Sequence, residues 1–195
     1  MKLVDAIKEK GRPFNVPDCS RNELPEFFKE MGFKVGAEIG VFKGEFTEKF
    51  CKAGLSMYAI DDWRRNRIYK KAKRLLEPYK NCTIIKKTSM EAINDFPAGS
   101  SLDFVYIDGD HRFPSIAQDL YYWCRRVKRG GIIAGHDYLD TRPEGKMRGC
   151  EVKSVVDAFI NASSTENFYI FGRSKPIDEE EYYDKVLSFM FFKHW

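Results

Sequence analysis

Apolar and polar positions follow two alternating patterns along this chain, and their order predicts strands interleaved with helices. Short apolar runs such as residues 102–108 ("LDFVYID") are typical of buried strands. Segments such as residues 44–54 ("GEFTEKFCKAG") instead repeat apolar side chains at helical spacing. The predicted strands cover residues 34–41, 56–62, 82–89, 102–108, 131–138, 167–173 and 186–195, and the predicted helices cover residues 22–32, 44–54, 65–77, 90–96, 115–131 and 150–163.

This order of elements predicts an α/β fold. Strands that alternate with helices form a mostly parallel sheet with helices on both faces, the doubly wound arrangement. Polar residues 174–184 ("SKPIDEEEYYD") join the last two strands without a helical crossover, which indicates an antiparallel C-terminal hairpin. In the helix over residues 115–131, Ser115 and Gln118 are spaced as a capping box. Because such sheets bind ligands at the carboxyl ends of their strands, functional residues are expected just after each strand.

Composition indicates one globular domain over residues 1–195, since 43% of the residues are hydrophobic and 32% are charged. No apolar stretch approaches the length of a membrane span, and residues 1–14 lack the uncharged apolar core of a signal peptide. The five cysteines are scattered without a CxxC pair, so neither a disulfide framework nor a thiolate zinc site is expected. These features predict a reducing, cytoplasmic setting without a membrane partner. They leave open whether the chain forms a homo-oligomer.

The net charge of +4 is mild, but basic residues cluster in residues 64–74 ("RRNRIYKKAKR"). On a helix, Ile68, Ala72, Leu75 and Leu76 share one face and the charges fall outside it. This pattern favours a solvated helix face. A patch for a nucleic acid or an acidic substrate is the alternative.

The turn after the first strand of the predicted alternating sheet contains a glycine loop. Residues 36–46 ("GAEIGVFKGEF") place Glu38, Gly40 and Gly44 across this turn, where glycine lets the backbone pass close to a ligand. Phe42 occupies the position of the middle glycine in a GxGxxG loop, so a role in cradling phosphates is less strongly indicated. An ordinary glycine turn explains the loop equally well.

Later strand ends add features that favour a nucleotide-like cofactor. Asp61 follows the glycine loop by about 20 residues, where an acid accepts hydrogen bonds from ribose hydroxyls. Ser89 offers a hydroxyl and Met90 an apolar face for an adenine ring. A simple helix cap and a core methionine are the alternative roles for this pair.

These features, in this order, resemble the class I S-adenosylmethionine-dependent methyltransferases over roughly residues 22–195. The combination of "YIDGDH" and "GGIIAGHDY" is similar to the branch of macrocin-type and related small-molecule O-methyltransferases, and more distantly to catechol O-methyltransferase. The resemblance implies a Rossmann-like methyltransferase sheet with S-adenosylmethionine as cofactor. The implied cofactor contacts are Glu38, Gly40, Phe42 and Gly44 at the methionine end, Asp61 at the ribose, Ser89 and Met90 at the adenine, and Asp108 near the reacting centre.

Ionisable side chains follow the fourth and fifth strands of the alternating sheet, in order along the chain. Asp108 comes after the fourth strand, and His136 and Asp137 come after the fifth, so neighbouring parallel strands bring them together. Two carboxylates and an imidazole form a divalent-metal site with open positions for substrate oxygens. The resembling metal-dependent enzymes hold magnesium with an acidic pair at the later position. A histidine there favours manganese or iron over magnesium, or no metal at all.

Asp110 and His111 lie further along the loop after the fourth strand, where a base would face the methyl acceptor. His111 is the preferred general base because its unperturbed pKa is more suitable, and Asp110 is the second candidate. Simpler roles stay open for two residues of the site. The simpler role of Asp110 is to cap the following turn, and the simpler role of His136 is that of a hydrogen-bonded core histidine.

The expected function is therefore S-adenosylmethionine-dependent methylation of a hydroxyl group on a small molecule, for example a sugar. The N-terminal residues 1–22 and a lid over residues 139–150 are expected to cover the acceptor. Arg142, Lys146 and Arg148 in that lid either contact an acidic acceptor or are solvated. A nucleic-acid methyltransferase is a disfavoured alternative that stays open, as does a cofactor-binding protein without catalysis. A dinucleotide-dependent oxidoreductase is disfavoured because the central glycine is missing.

Overall fold

A computed structural model describes residues 19–96, 99, 101–141, 149–172 and 186–195, together with Leu3, Asp5 and the backbone of Phe14–Val16. The strands of this part of the chain are β1 (Phe14–Val16), β2 (Val35–Ile39), β3 (Ser56–Asp61), β4 (Cys82–Lys86), β5 (Leu102–Ile107), β6 (Val127–Gly135), β7 (Asp140–Thr141), β8 (Cys150–Glu151), β9 (Phe168–Phe171) and β10 (Ser188–Phe192). Its α-helices are α1 (Leu24–Glu30), α2 (Glu45–Lys52), α3 (Asn66–Leu76), α4 (Ser89–Ala92), α5 (Phe113–Cys124) and α6 (Val152–Ala162).

Eight of the strands form one sheet in the order β1-β9-β10-β6-β5-β2-β3-β4. The pairs from β6 through β4 are parallel, and β10 runs antiparallel to both of its neighbours, β6 and β9. The predicted α/β class, the mostly parallel sheet and the C-terminal antiparallel hairpin are therefore confirmed. Residues 174–184, which join the hairpin strands, lie outside the described residues. Strand β1 pairs in parallel with β9. It lies within residues 1–22, for which the sequence predicted only a role in covering the methyl acceptor.

Helices cover both faces of the sheet. Successive side chains of a strand point to opposite faces, so each central strand packs against helices on both sides. All six residues of the central strand β5 are buried. Phe104 and Tyr106 pack on the face that carries α1 and α2, in a cluster that includes Phe28. Val105 packs on the other face, in a cluster that includes Trp123 of α5. The sheet is thus buried on both sides, and its carboxyl edge is left for the functional loops.

The boundary between α5 and β6 differs from the prediction. Helix α5 begins at Phe113, with Pro114 in its first turn, and its N-cap residue Arg112 makes no side-chain cap. A proline is tolerated there because the first N–H groups of a helix have no partner within it. The predicted capping box from Ser115 is therefore wrong. The helix also ends at Cys124, because the chain from Val127 onward joins the sheet beside β5.

The basic segment forms α3 as predicted, with Ile68, Ala72 and Leu76 buried and the basic side chains exposed. Leu75, the fourth residue of the predicted apolar face, is half-buried. Within the described parts of the chain, none of the helices is both long and apolar enough to cross a membrane.

Candidate active site

A cavity of about 660 Å³ opens at the carboxyl edge of strands β2 to β5. This is the edge at which doubly wound sheets bind ligands. Most of the predicted site residues line it. They are Gly40, Phe42, Asp61, Ser89, Met90, Asp108, Asp110 and His111.

The glycine loop after β2 adopts the left-handed backbone that glycine favours. Gly40 has a φ of 91° and Gly44 has a φ of 89°. Phe42, at the position of the missing middle glycine, also takes a positive φ of 52°, and its side chain is 56% exposed. A non-glycine residue pays a small steric penalty in this region. The phenylalanine therefore preserves the shape of the loop and places an aromatic ring at the cavity rim.

The carboxylate of Asp61 holds the glycine loop against the end of β3. Asp61 Oδ2 accepts a hydrogen bond from the backbone N–H of Phe42 at 2.9 Å, and Oδ1 accepts one from Trp63 at 2.6 Å. The indole Nε1–H of Trp63 donates back to the carbonyl of Phe42 at 2.7 Å. Burial raises the pKa of Asp61, although these N–H bonds oppose the shift. A carboxylate has about four acceptor sites, so Asp61 keeps acceptor capacity for a ligand.

Glu38 lies beneath the cavity rather than on its wall, with only 2% of its surface exposed. The hydroxyl of the buried Thr47 donates a hydrogen bond to its Oε2. Burial raises the pKa of Glu38 to about 8. A buried carboxyl group that is neutral near pH 7 donates as well as accepts hydrogen bonds.

Ser89 is part of a hydrogen-bonded group on the wall of the cavity. Thr88 caps α4 through a capping box with Glu91, which places Ser89 at the start of the helix. The hydroxyl of Ser89 donates to Asp119 Oδ1 and accepts the indole N–H of Trp123 at 2.7 Å. Burial raises the pKa of Asp119 to about 6. The sequence did not indicate Asp119, because its polar contact crosses from α5 to a different helix.

Asp108, His111 and Asp137 bring their ligand-type atoms within 4.8 Å of one another. His111 Nε2 lies 3.0 Å from Asp137 Oδ2 and 3.6 Å from Asp108 Oδ1. These two carboxylates, Asp108 first, raise the pKa of His111 to about 10. Burial opposes ionisation of Asp137, but His111 and His136 outweigh it and hold the pKa of that carboxyl well below its usual range.

This trio fits a divalent cation. Nε2 of His111 is buried and makes no well-formed hydrogen bond to any described group, although it faces two carboxylates. Two carboxylate oxygens and one imidazole nitrogen suit manganese or iron better than an all-oxygen site does. The trio differs from the predicted ligand set in containing His111 instead of His136.

His136 contacts Asp137 but is not part of the cluster formed by Asp108, His111 and Asp137. Its Nδ1 lies 3.2 Å from Asp137 Oδ1, and its side chain is 14% exposed. Its backbone N–H donates to the carbonyl of Ile107, which continues the pairing of β5 with β6. The role of His136 as a metal ligand stays a prediction, and its position supports Asp137 from behind.

Asp110 is engaged by the residues that follow it. Arg112 Nε lies 2.9 Å from its Oδ1, and the hydroxyl of Ser115 donates to its Oδ2 at 3.1 Å. Arg112 holds the pKa of Asp110 below its usual value. These contacts favour the turn-capping role over that of a proton acceptor.

Arg21 reaches this site from the N-terminal segment and was not singled out in the sequence. Its Nη1 lies 3.4 Å from Asp108 Oδ2, and its guanidinium packs over the ring of Phe46. A capping box between Ser20 and Glu23 fixes the turn that carries it. That motif marks a helix start in the sequence, but it carries no sign of the contact with Asp108.

Parts of the predicted acceptor cover lie outside the described residues. Arg142, Lys146 and Arg148 are among them, as is most of the segment before Cys19. The described ends of the predicted lid, Thr141 and Gly149, lie beside a second cavity.

Residues 37–138 match the methyltransferase domain family. A segment of the chain is also similar to the uncharacterized protein R132 of Acanthamoeba polyphaga mimivirus, with 29% identity over 73 residues. That segment is 37% of this chain and 33% of the relative, so the match spans about a third of the relative's length.

Three solved structures illustrate the likeness in fold. The O-methyltransferase TomG of Streptomyces achromogenes, in complex with S-adenosylmethionine, is 14% identical with a TM-score of 0.63, covering 88% of this chain and 78% of that one. An O-methyltransferase of Bacillus cereus in complex with S-adenosylhomocysteine is 13% identical with a TM-score of 0.63, covering 97% and 88%. An rRNA methylase of Streptococcus thermophilus is 14% identical with a TM-score of 0.61, covering 88% and 95%.

Proposed function

Because the chain belongs to the methyltransferase domain family, we propose that it transfers the methyl group of S-adenosylmethionine to a hydroxyl oxygen of a small molecule. The observation that carries this proposal is the meeting of Asp108, His111 and Asp137 beside a cavity bounded by the glycine loop and Asp61. The complexes of TomG with S-adenosylmethionine and of the Bacillus cereus enzyme with S-adenosylhomocysteine support the choice of cofactor.

The cofactor is proposed to lie along the cavity from the glycine loop to α4. The free lone pairs of Asp61 accept the ribose hydroxyls, since its N–H contacts already fix the carboxylate. Ser89 and Met90 border the adenine, and Met90 supplies the apolar surface because the hydroxyl of Ser89 is engaged by its neighbours. Gly40, Phe42 and Gly44 shape the loop at the methionine end, and Glu38 supports it from below.

Methyl transfer is an in-line displacement in which the acceptor oxygen bonds to the methyl carbon as the carbon–sulfur bond breaks. The products are a methyl ether and S-adenosylhomocysteine, and the hydroxyl proton must go to a base. The donor is already activated, so the protein chiefly aligns the oxygen and removes this proton. We place the oxygen at Asp108, His111 and Asp137. His111 is preferred as proton acceptor over the engaged Asp110, but because the two carboxylates raise its pKa to about 10, it accepts the proton only while its imidazole is neutral, a fraction that grows as the pH rises. A divalent cation held by the same three residues would lower the pKa of the hydroxyl. His111 would then be a ligand instead of the proton acceptor, and the proton would leave to water.

Calorimetry with S-adenosylmethionine and with NAD tests the cofactor, and repeating it with EDTA, Mg²⁺ or Mn²⁺ tests the cation. Binding of S-adenosylmethionine but not NAD is expected, and no binding of the methyl donor would contradict the proposal. Turnover that persists in EDTA would contradict only the proposed role of the cation, not the proposed methyl transfer. Asp108→Ala should abolish turnover with an unchanged fold, while Asp95→Ala, at an exposed pair with Lys87, should not.

Methylation of a nucleic acid is the second candidate. The exposed basic face of α3 favours it, and the rRNA methylase of Streptococcus thermophilus shares the fold. Binding of RNA that weakens steeply with added salt would support this candidate. The third candidate is cofactor binding without catalysis. It would be supported if replacing Asp108, His111 or Asp137 did not change the measured turnover.

We further propose that residues 1–195 form one methyltransferase domain in a reducing, cytoplasmic setting. Eight of the ten described strands, including both β1 and β10, share one sheet, which supports one domain. All five cysteines lie in the described parts of the chain and are free thiols, which suits that setting. Analytical ultracentrifugation would determine whether the chain forms a homo-oligomer.

A further inference from the structure

A second cavity, of about 850 Å³, lies between α5 and α6 and shares Gly149 and Cys150 with the first cavity. We propose that this cavity, the α5–α6 groove, holds the apolar body of the acceptor while the acceptor's hydroxyl group lies at Asp108, His111 and Asp137. The acceptor would then be an aryl hydroxyl compound instead of a sugar. This inference rests on the proposed methyltransferase function.

The walls of the groove are aromatic and aliphatic. Phe113, Ala117 and Tyr121 follow one another at four-residue spacing on α5, so they form one face of that helix. Val155 and Phe159 face them from α6. Phe113 is 58% exposed and Tyr121 is 53% exposed, although both are large apolar residues. An apolar ligand that covers these rings removes apolar surface from water, which favours binding.

Several polar groups in the groove already make hydrogen bonds to other groups of its wall. Asp140 accepts hydrogen bonds from the backbone N–H of Ser154 at 3.0 Å and from its hydroxyl at 2.6 Å. Glu151 Oε2 accepts the N–H of Phe113 at 2.8 Å, and Thr141 Oγ1 accepts a backbone N–H at 3.0 Å. Every hydroxyl of a sugar needs a polar partner when it leaves water, whereas an aromatic ring requires none and therefore suits the apolar walls better.

The groove adjoins the proposed reaction centre. The backbone N–H of Glu151 donates to the carbonyl of His111 at 2.9 Å, so strand β8 lies directly against the loop that carries Asp108 and His111. The Sγ of Cys150 lies 3.6 Å from the carbonyl oxygen of Asp137 and borders both cavities. A molecule that spans this junction places its polar end at the trio and its apolar end in the groove.

A pair of alanine substitutions on α6 tests the proposal. Ala158 lines the groove, so the indole of Ala158→Trp would fill it. Ala162→Trp adds the same side chain one turn further along α6, at an exposed position that does not line the groove. The probes are 2-naphthol and methyl α-D-glucopyranoside, each followed by saturation-transfer NMR in the presence of S-adenosylhomocysteine. Calorimetry measures the S-adenosylmethionine affinity of each protein.

We expect 2-naphthol to bind the unmodified protein and Ala162→Trp, and Ala158→Trp to weaken it by about tenfold or more. S-adenosylmethionine affinity should be the same in all three proteins, because neither alanine lines the first cavity. The proposal is overturned if 2-naphthol does not bind, if Ala158→Trp leaves its affinity unchanged, or if the glucoside binds and is displaced by that substitution. Failure of S-adenosylmethionine to bind, with 2-naphthol still held in the groove, would instead contradict the proposed function.

Discussion

Gly40 and Asp108 approach so closely that a Cβ atom on Gly40 would lie 2.2 Å from the carbonyl oxygen of Asp108. The N–H of Asp108 also donates to the carbonyl of Ile39 at 2.8 Å, so the loops after β2 and β5 are fastened together. The glycine thus has a structural role apart from any ligand, because it sets the distance between the cofactor loop and the trio of Asp108, His111 and Asp137.

Gly40→Ala is expected to reduce the free energy of unfolding by about 3 kcal/mol, since it adds a clash with backbone to the cost of a positive φ. Gly54→Ala is the matched control. Gly54 has a φ of 93°, close to the 91° of Gly40, but no atom lies within 4 Å of an added Cβ. Gly54→Ala should therefore reduce the free energy of unfolding by only about 1 kcal/mol. Denaturant unfolding measures both variants, and equal losses would contradict the close approach.

The order of elements could be predicted from the sequence because the change from strand to helix periodicity is local. The start of β6 could not, since residues 125–131 are mostly polar and Val127 joins the sheet only through its pairing with Leu102. Strand β1 depends in the same way on pairing with Tyr169–Phe171, more than 150 residues away along the chain.

The site was predictable where parallel topology gathers residues at strand ends, as it does for Asp61, Asp108 and Asp137. It was not predictable where side chains meet across elements. Arg21 reaches Asp108 from the N-terminal segment, and Asp119 reaches Ser89 from α5. Sequence position alone does not show which way the side chain of a histidine points.

His111 and His136 contact different groups, and substituting each in turn distinguishes their roles in binding a cation. We expect Mn²⁺ to bind the unmodified protein, and His111→Gln to weaken that binding by more than about tenfold because it removes a ligand of the trio. His136→Gln should have a smaller effect, since His136 contacts only the far oxygen of Asp137 among the trio. Calorimetry with Mn²⁺ measures both. A larger loss in His136→Gln would restore the ligand set expected from the sequence.

Ser89 is expected to contribute mainly to stability. Ser89→Ala leaves the indole N–H of Trp123 without its acceptor and Asp119 without its donor, and both are buried. Unsatisfied buried polar groups of this kind cost about 2 kcal/mol. Ser56→Ala, at an exposed position at the start of β3, should change stability by less than about 0.5 kcal/mol. Thermal unfolding measures both variants. A loss of cofactor affinity without a loss of stability would show instead that the hydroxyl chiefly binds the ligand.

The carboxyl group of Asp119 makes stability depend on pH in a defined direction. Burial raises its pKa from 3.8 to about 6 in the folded protein, with Asp110 adding to the shift and the hydroxyl of Ser89 opposing it. The folded chain therefore holds this proton more tightly than the unfolded chain does. The contribution to stability is complete below about pH 4 and is lost as the pH rises to about 6.

Asp119→Asn removes this titration and keeps an oxygen that accepts the hydroxyl of Ser89. Relative to the unmodified protein, the variant should gain about 2 kcal/mol in free energy of unfolding between pH 4 and pH 7. The comparison isolates Asp119, because other shifted groups such as Glu38 titrate in both proteins. Urea unfolding at a series of pH values measures the difference. A difference that stays constant with pH would mean that Asp119 titrates alike in the folded and unfolded chains.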